Sequence, residues 1–147
     1  MKCLIDSNVL ISAWLFPGSI PDRAIDRSSQ FPFEPIVCQH SVDEVLRTCS
    51  RKWPDDVDSL NIFLKEVKQS VKMIHSDYDT EALQGKFEIR DINDAPILAA
   101  AFDEDVDFII TGDKDFFADA YVVPVTISPA NFVTIDERLT VENIAWD

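Results

Sequence analysis

Along the 147 residues, short unbroken apolar runs alternate with longer stretches whose apolar positions recur every three or four residues. The runs are residues 2–6 (KCLID), 35–38 (PIVC), 71–75 (VKMIH), 108–111 (FIIT) and 121–127 (YVVPVTI). A strand that is apolar at consecutive positions is buried on both faces. The pattern therefore predicts an α/β fold, with a mainly parallel sheet of about five strands covered by helices on both sides. Pro124 has no N–H to give to a ladder, which assigns the fifth run to a sheet edge.

The intervening stretches carry helix signals. Val57, Leu60, Leu64, Val67 and Val71 form the stripe of a helix lying on a core, and Pro54-Asp55-Asp56 marks its start. Residues 41–51 predict a second helix, opened by the capping-box pattern Ser41-x-x-Glu44. A third begins near Asn93 and carries Ile97, Leu98, Ala100, Ala101 and Phe102. Residues 76–90 give no clear pattern, and residues 136–147 predict a short helical tail docked through Trp146. No repeat is visible, so the expectation is a single domain over residues 1–147.

Composition changes this picture at two points. The cysteines Cys3, Cys38 and Cys49 are an odd set without C-x-x-C spacing, and His40 and His75 stand alone. Reduced, buried thiols are expected, rather than disulfides or a zinc site. The first acid arrives at Asp6, too early for a signal-peptide core, and no apolar run approaches the ~20 residues of a membrane span. A cytoplasmic protein without membrane contact is the expectation. The net charge of −14 is the second point, because it is the reverse of the basic footprint of a nucleic-acid binder. Removing four acids still leaves −10, so a polyanionic substrate would need local basic groups and metal ions, whereas a basic protein partner suits the surface directly.

Four acids fall at corresponding places on this outline. Asp6 ends the first strand, Glu44 lies early in the helix after the second, and Asp113 follows the fourth in Thr111-Gly112-Asp113. These lie beyond the carboxyl ends of strands, where open α/β sheets bind ligands. Asp94, before the fourth strand, joins them if its helix begins at that edge. Carboxylates gathered at ~5 Å repel by about 3 kcal/mol per pair at an effective dielectric of ~20. A cation resolves such a cluster, and oxygen ligands without His or Cys select Mg²⁺ or Mn²⁺. Those ions activate water and orient a phosphodiester, which points to phosphate-ester hydrolysis.

Each acid also has a plain structural reading. Asp6 suits the N-cap of a helix beginning at Ser7, Glu44 suits the partner of Ser41, with Asp43 competing for either role, and Asp113 and Asp115 suit turns or caps. Asp94 is different. With Asp91 as N-cap, Pro96 would clash with the carbonyl of Ile92, whereas a cap at Asn93 puts Pro96 in the first turn and releases Asp94.

Taken together, CLIDSNVLISAWL, SVDEVLRTCSRKW, RDINDAPILAAAFDEDVDFIITGDKDFF and PVTISPANF resemble the successive motifs of the PIN-domain nucleases. The third stretch is the most specific, through its long register of Asp, Asp-Ala-Pro, Thr-Gly-Asp and Asp-Phe. The resemblance implies a three-layer α/β/α sandwich and an acidic site of Asp6, Glu44, Asp94 and Asp113, with Asp115 a candidate fifth member. Ser7, Asn8 and Thr111 would support that site by hydrogen bonds. It further implies Mg²⁺- or Mn²⁺-dependent endoribonuclease activity, frequent homodimers and, as in VapC-like bacterial toxins, a basic antitoxin partner. Arg47, Arg51, Arg90 and Lys114 are near enough in sequence to contact RNA phosphates, though solvated surface charge accounts for any one of them. Trp14, Phe16, Phe116 and Phe117 are candidates for base stacking, but core packing is the more economical reading.

Two other functions compete. A PIN-like module that only binds protein or RNA would suit the acidity, yet the acidic set is complete. A haloacid-dehalogenase-like phosphatase would want a second Asp two positions after the first, where this chain has Asn8. A dinucleotide-binding fold is weaker still, because no glycine-rich turn follows the first strand.

Overall fold

In the computed structural model, residues 1–75, 95–112 and 125–135 are described. Five strands, β1 (Lys2–Ile5), β2 (Glu34–Cys38), β3 (Lys72–Ile74), β4 (Phe108–Ile110) and β5 (Val125–Ile127), form one sheet in the order β3-β2-β1-β4-β5. Every neighbouring pair is parallel, with Leu4 opposite Ile36 on one side and Ile109 on the other. β5 is an edge strand, the position that Pro124 required of it.

The consecutive apolar residues of the strands are explained by two cores, one on each face. Cys3, Ile5, Val37, Phe108 and Ile110 face one core, while Leu4, Ile36, Cys38 and Ile109 face the other. The first core is covered by α1 (Ser7–Leu15), α2 (Ile20–Ser28), α3 (Gln39–Lys52), α4 (Val57–Ser70) and α6 (Pro129–Val133). The second is covered by Ile97, Leu98, Ala100 and Ala101 of α5 (Ala95–Asp103). The result is the expected α/β/α sandwich. On α4 the stripe Leu60, Leu64 and Val67 is buried, each side chain contributing about 1.5–3 kcal/mol on leaving water. The helix stops at Ser70, and Val71 already packs in extended conformation.

Three local features depart from the expectations. α3 begins at Gln39 with Cys38 at its N-cap, so Ser41 lies inside the first turn and the Ser41–Glu44 capping box does not form. The helix starts as soon as β2 ends, leaving no residue for a separate cap. α2 carried no recognised signal, because only Ala24, Ile25 and Ser28 of its nine residues are buried. Its start is fixed instead by Gly18, at φ +78°, whose N–H donates to the Asp22 carboxylate at 2.8 Å, and by Pro21 in the first turn. Phe16, expected in the core, is 64% exposed where α1 runs into Pro17 and turns. The cap register at Asp91–Asn93 and the helical tail at 136–147 lie outside the described residues. No described helix is long and apolar enough to cross a membrane.

Candidate active site

The strand order creates one special edge. The chain moves outward from β1 to β2 and β3, then returns to the opposite side of β1 to lay down β4 and β5. β1 and β4 therefore lie at the sheet's switch point, beyond whose carboxyl ends open α/β sheets form their ligand crevice. Asp6 stands at the end of β1, and its backbone N–H still donates to Ile110 of β4 at 3.0 Å. Thr111 stands beside it at the end of β4, fully buried.

Asp6 is a carboxylate at 3% exposure, which demands hydrogen bonds in place of water. Its Oδ1 accepts from the Ser7 backbone N–H at 2.8 Å, making Asp6 the N-cap of α1. Its Oδ2 accepts from the Thr111 hydroxyl at 2.8 Å and from Asn8 Nδ2 at 3.0 Å. Asp6 is thus the N-cap of α1 through one oxygen, while its other oxygen is held by Thr111 and Asn8 at the end of the sheet. Asn8 is itself held in place, since its Oδ1 accepts from the Gly112 N–H at 3.1 Å and its Nδ2 reaches the Thr111 oxygen at 3.3 Å. These donors are neutral dipoles. They orient the carboxylate.

Glu44 reaches the same place from α3. The Ser7 hydroxyl donates to Glu44 Oε2 at 3.2 Å while the Ser7 N–H holds Asp6, so one residue tethers two acids 38 positions apart. Asp43 points elsewhere, accepting from Gln39 Nε2 at 2.9 Å on the exposed face of the helix. A helix advances about 100° per residue, so the two adjacent acids leave α3 in different directions. Because Ser41 is not the cap, Glu44 has no capping duty.

The Cys38 thiol, at the end of β2, senses this charge. Burial foremost, then the nearby Asp6 and Glu104 carboxylates, push it up to about 12. It stays protonated at neutral pH. The donors the structure offers are hard carboxylate oxygens, which suit Mg²⁺ or Mn²⁺. Among the described residues no group of three or more metal-ligating side chains gathers, and Asp6 and Glu44 are the two predicted acids they contain. Asp94, Asp113 and Asp115, together with Arg90, Lys114, Phe116 and Phe117, lie outside the described residues.

The other predicted residues are placed as follows. Arg47 and Arg51 are exposed on α3. Trp14 is half-buried, packed edge-on against Trp53 at 5.8 Å between ring centroids, with its Nε1 donating to the Ser59 hydroxyl at 3.2 Å. It serves the core. Beside the acids lies a cavity of about 200 Å³ walled by Asn8, Val9, Ser12, Pro21, Gly112 and Pro129. Sequence reasoning did not single out Ser12, Pro21 or Pro129, because the wall exists only where α1, α2 and α6 meet.

A family model for the PIN domain matches residues 2–115. The chain belongs to the PIN-domain family. The match begins at β1 and runs past β4, so it contains the crevice just described. No curated protein matches this PIN domain. Solved structures agree with its fold. The VapBC2 complex of Rickettsia felis bound to a promoter DNA fragment matches at 12% identity with a TM-score of 0.69, covering 87% of this chain and 98% of that one. A toxin–antitoxin complex from Klebsiella pneumoniae matches at 20% identity and TM-score 0.60, covering 86% and 97%. VapC20 of Mycobacterium tuberculosis, a toxin that cleaves the sarcin–ricin loop, matches at 16% and 0.60, covering 82% and 96%. At these identities the likeness is one of fold.

Proposed function

We propose that this PIN domain is an endoribonuclease that depends on Mg²⁺ or Mn²⁺ and forms the toxin half of a toxin–antitoxin pair. The observation that carries the reading is the buried Asp6 carboxylate at the sheet's switch point, tethered through Ser7 to Glu44. Two carboxylates held by one residue repel, and a cation or a proton shared between them resolves that repulsion; a divalent cation is the reading proposed. Asp6 and Glu44, with Asp94 and Asp113 completing the set and Asp115 beside them, would hold the ion. When bound, such an ion supplies Lewis-acid polarisation of a phosphodiester and lowers the pKa of a water.

The chain's own residues do the rest. Asn8 and Thr111 fix the plane of the Asp6 carboxylate, and Ser7 orients Glu44 to face it. Glu44 would position the attacking water, while Lys114, Arg90 and Arg47 would neutralise backbone phosphates. The acidic surface favours a basic antitoxin, which would cover the crevice of a cytoplasmic homodimer. Support for the pairing comes from the solved neighbours, toxin–antitoxin complexes among them.

The test is cleavage of single-stranded RNA with added Mn²⁺ or Mg²⁺. EDTA should abolish it, and Asp6→Asn should abolish it while leaving the circular-dichroism spectrum unchanged. Metal-independent cleavage, or full activity in Asp6→Asn, would overturn the reading.

A further inference from the structure

Away from the acids, a second cavity of about 280 Å³ opens between α2 and α6, lined by Arg23, Asp26, Arg27, Gln30 and Val133. Two arginines in one cavity stand out in a chain with 13 basic residues against 27 acidic ones. Neither has a carboxylate within 4.0 Å among the described residues, where the one ion pair is Lys72–Glu104. Asp26 shares the cavity without pairing with either arginine, so the local balance stays positive.

Arg27 is built in. Its Nη2 donates to the Ile135 carbonyl, its guanidinium lies 5.8 Å from the centroid of the Phe33 ring, and its buried Nε has no partner among the described residues. A guanidinium fixed in this way has lost its rotamer entropy before any ligand arrives, which favours binding of a planar or tetrahedral oxyanion. Arg23 is exposed one turn earlier on the same helix and supplies a second cation.

The seam that holds this cavity leads to the acidic crevice. Pro21 of α2 and Pro129 of α6 wall the cavity beside Asn8, whereas Arg27 and Val133 meet in the second one. The two helices therefore run side by side away from the site. From Pro21 to Arg27 is about 9 Å along a helix axis, at 1.5 Å per residue. We infer that the α2–α6 seam is an RNA track, with Arg23 and Arg27 holding a backbone phosphate next to, but not at, the scissile bond. The identity of the anion rests on the ribonuclease reading. It also answers the charge problem, because a polyanion approaching a chain at −14 needs local cations.

The test compares wild type, Arg23→Ala and Gln30→Glu on a labelled single-stranded RNA, reading cleavage kinetics and fluorescence anisotropy in parallel. Both substitutions fall at exposed positions, so folding is preserved. The expected result is a KM and Kd raised several-fold in each with kcat unchanged. Losing one phosphate contact in Arg23→Ala should also make the slope of log K against log salt shallower by about 0.7, the single-strand value per phosphate. Wild-type affinity and salt slope in both variants would overturn the track. A protein that binds RNA with this dependence but never cuts it would keep the track and sink the ribonuclease reading instead.

Discussion

Asp6 uses its two carboxylate oxygens differently. Its Oδ1 closes the first turn of α1, and its Oδ2 is aimed by Asn8 and Thr111. Replacing Thr111 by Val removes a donor from a buried carboxylate at nearly constant volume. We expect a stability loss of about 1–3 kcal/mol, read by urea denaturation. The same variant should lose about 10–100-fold in metal affinity or cleavage, the usual cost of losing a ligand-orienting contact. The neighbours Asp43 and Glu44 separate sharply at this scale. Glu44→Gln should impair cleavage, whereas Asp43→Ala, which loses an exposed bond to Gln39, should leave kcat at the wild-type value. Equal effects of the two substitutions would contradict the assignment.

At the scale of elements, the strands and the long amphipathic helix were legible because burial on two faces, or on one stripe, writes itself into hydrophobic spacing. The residues of α2 were not, since a short helix with three buried positions has too little period to read, and its real signals, Gly18 and the Asp22 contact, lie at its entrance. Ser41-x-x-Glu44 misled for a related reason. A capping pattern is local, whereas the start of α3 is set by where β2 ends. The place of Asp6 at the end of the first strand was legible from the sequence, but its link to Glu44 through Ser7 was not, because that depends on how α1 and α3 pack. The central strands carry a further consequence. Burial foremost pushes the thiols of Cys3 in β1 and Cys38 in β2 from 9.0 to about 12. Between those values the folded chain keeps protons that the unfolded chain releases, so stability falls as pH rises from about 9 towards 12 and is unaffected by these thiols below that window. Cys38→Ala should flatten part of this alkaline decline in denaturant midpoints, and an unchanged decline would count against the burial.

For the whole molecule, the decisive property is the order of the strands. It places the ends of β1 and β4 side by side, and with them residues distant in sequence whose only common feature is charge or the means to orient it. The surrounding field of −14 works against an anionic substrate and in favour of divalent cations and a basic partner. The account therefore turns on cation binding at Asp6. Isothermal titration of Mn²⁺ into the wild type and into Asp6→Asn measures it directly. The account predicts saturable binding to the wild type that weakens at least tenfold in the variant, with a matching loss of the Mn²⁺-induced rise in Tm. Equal affinity in the two proteins, or no binding to either, would contradict it.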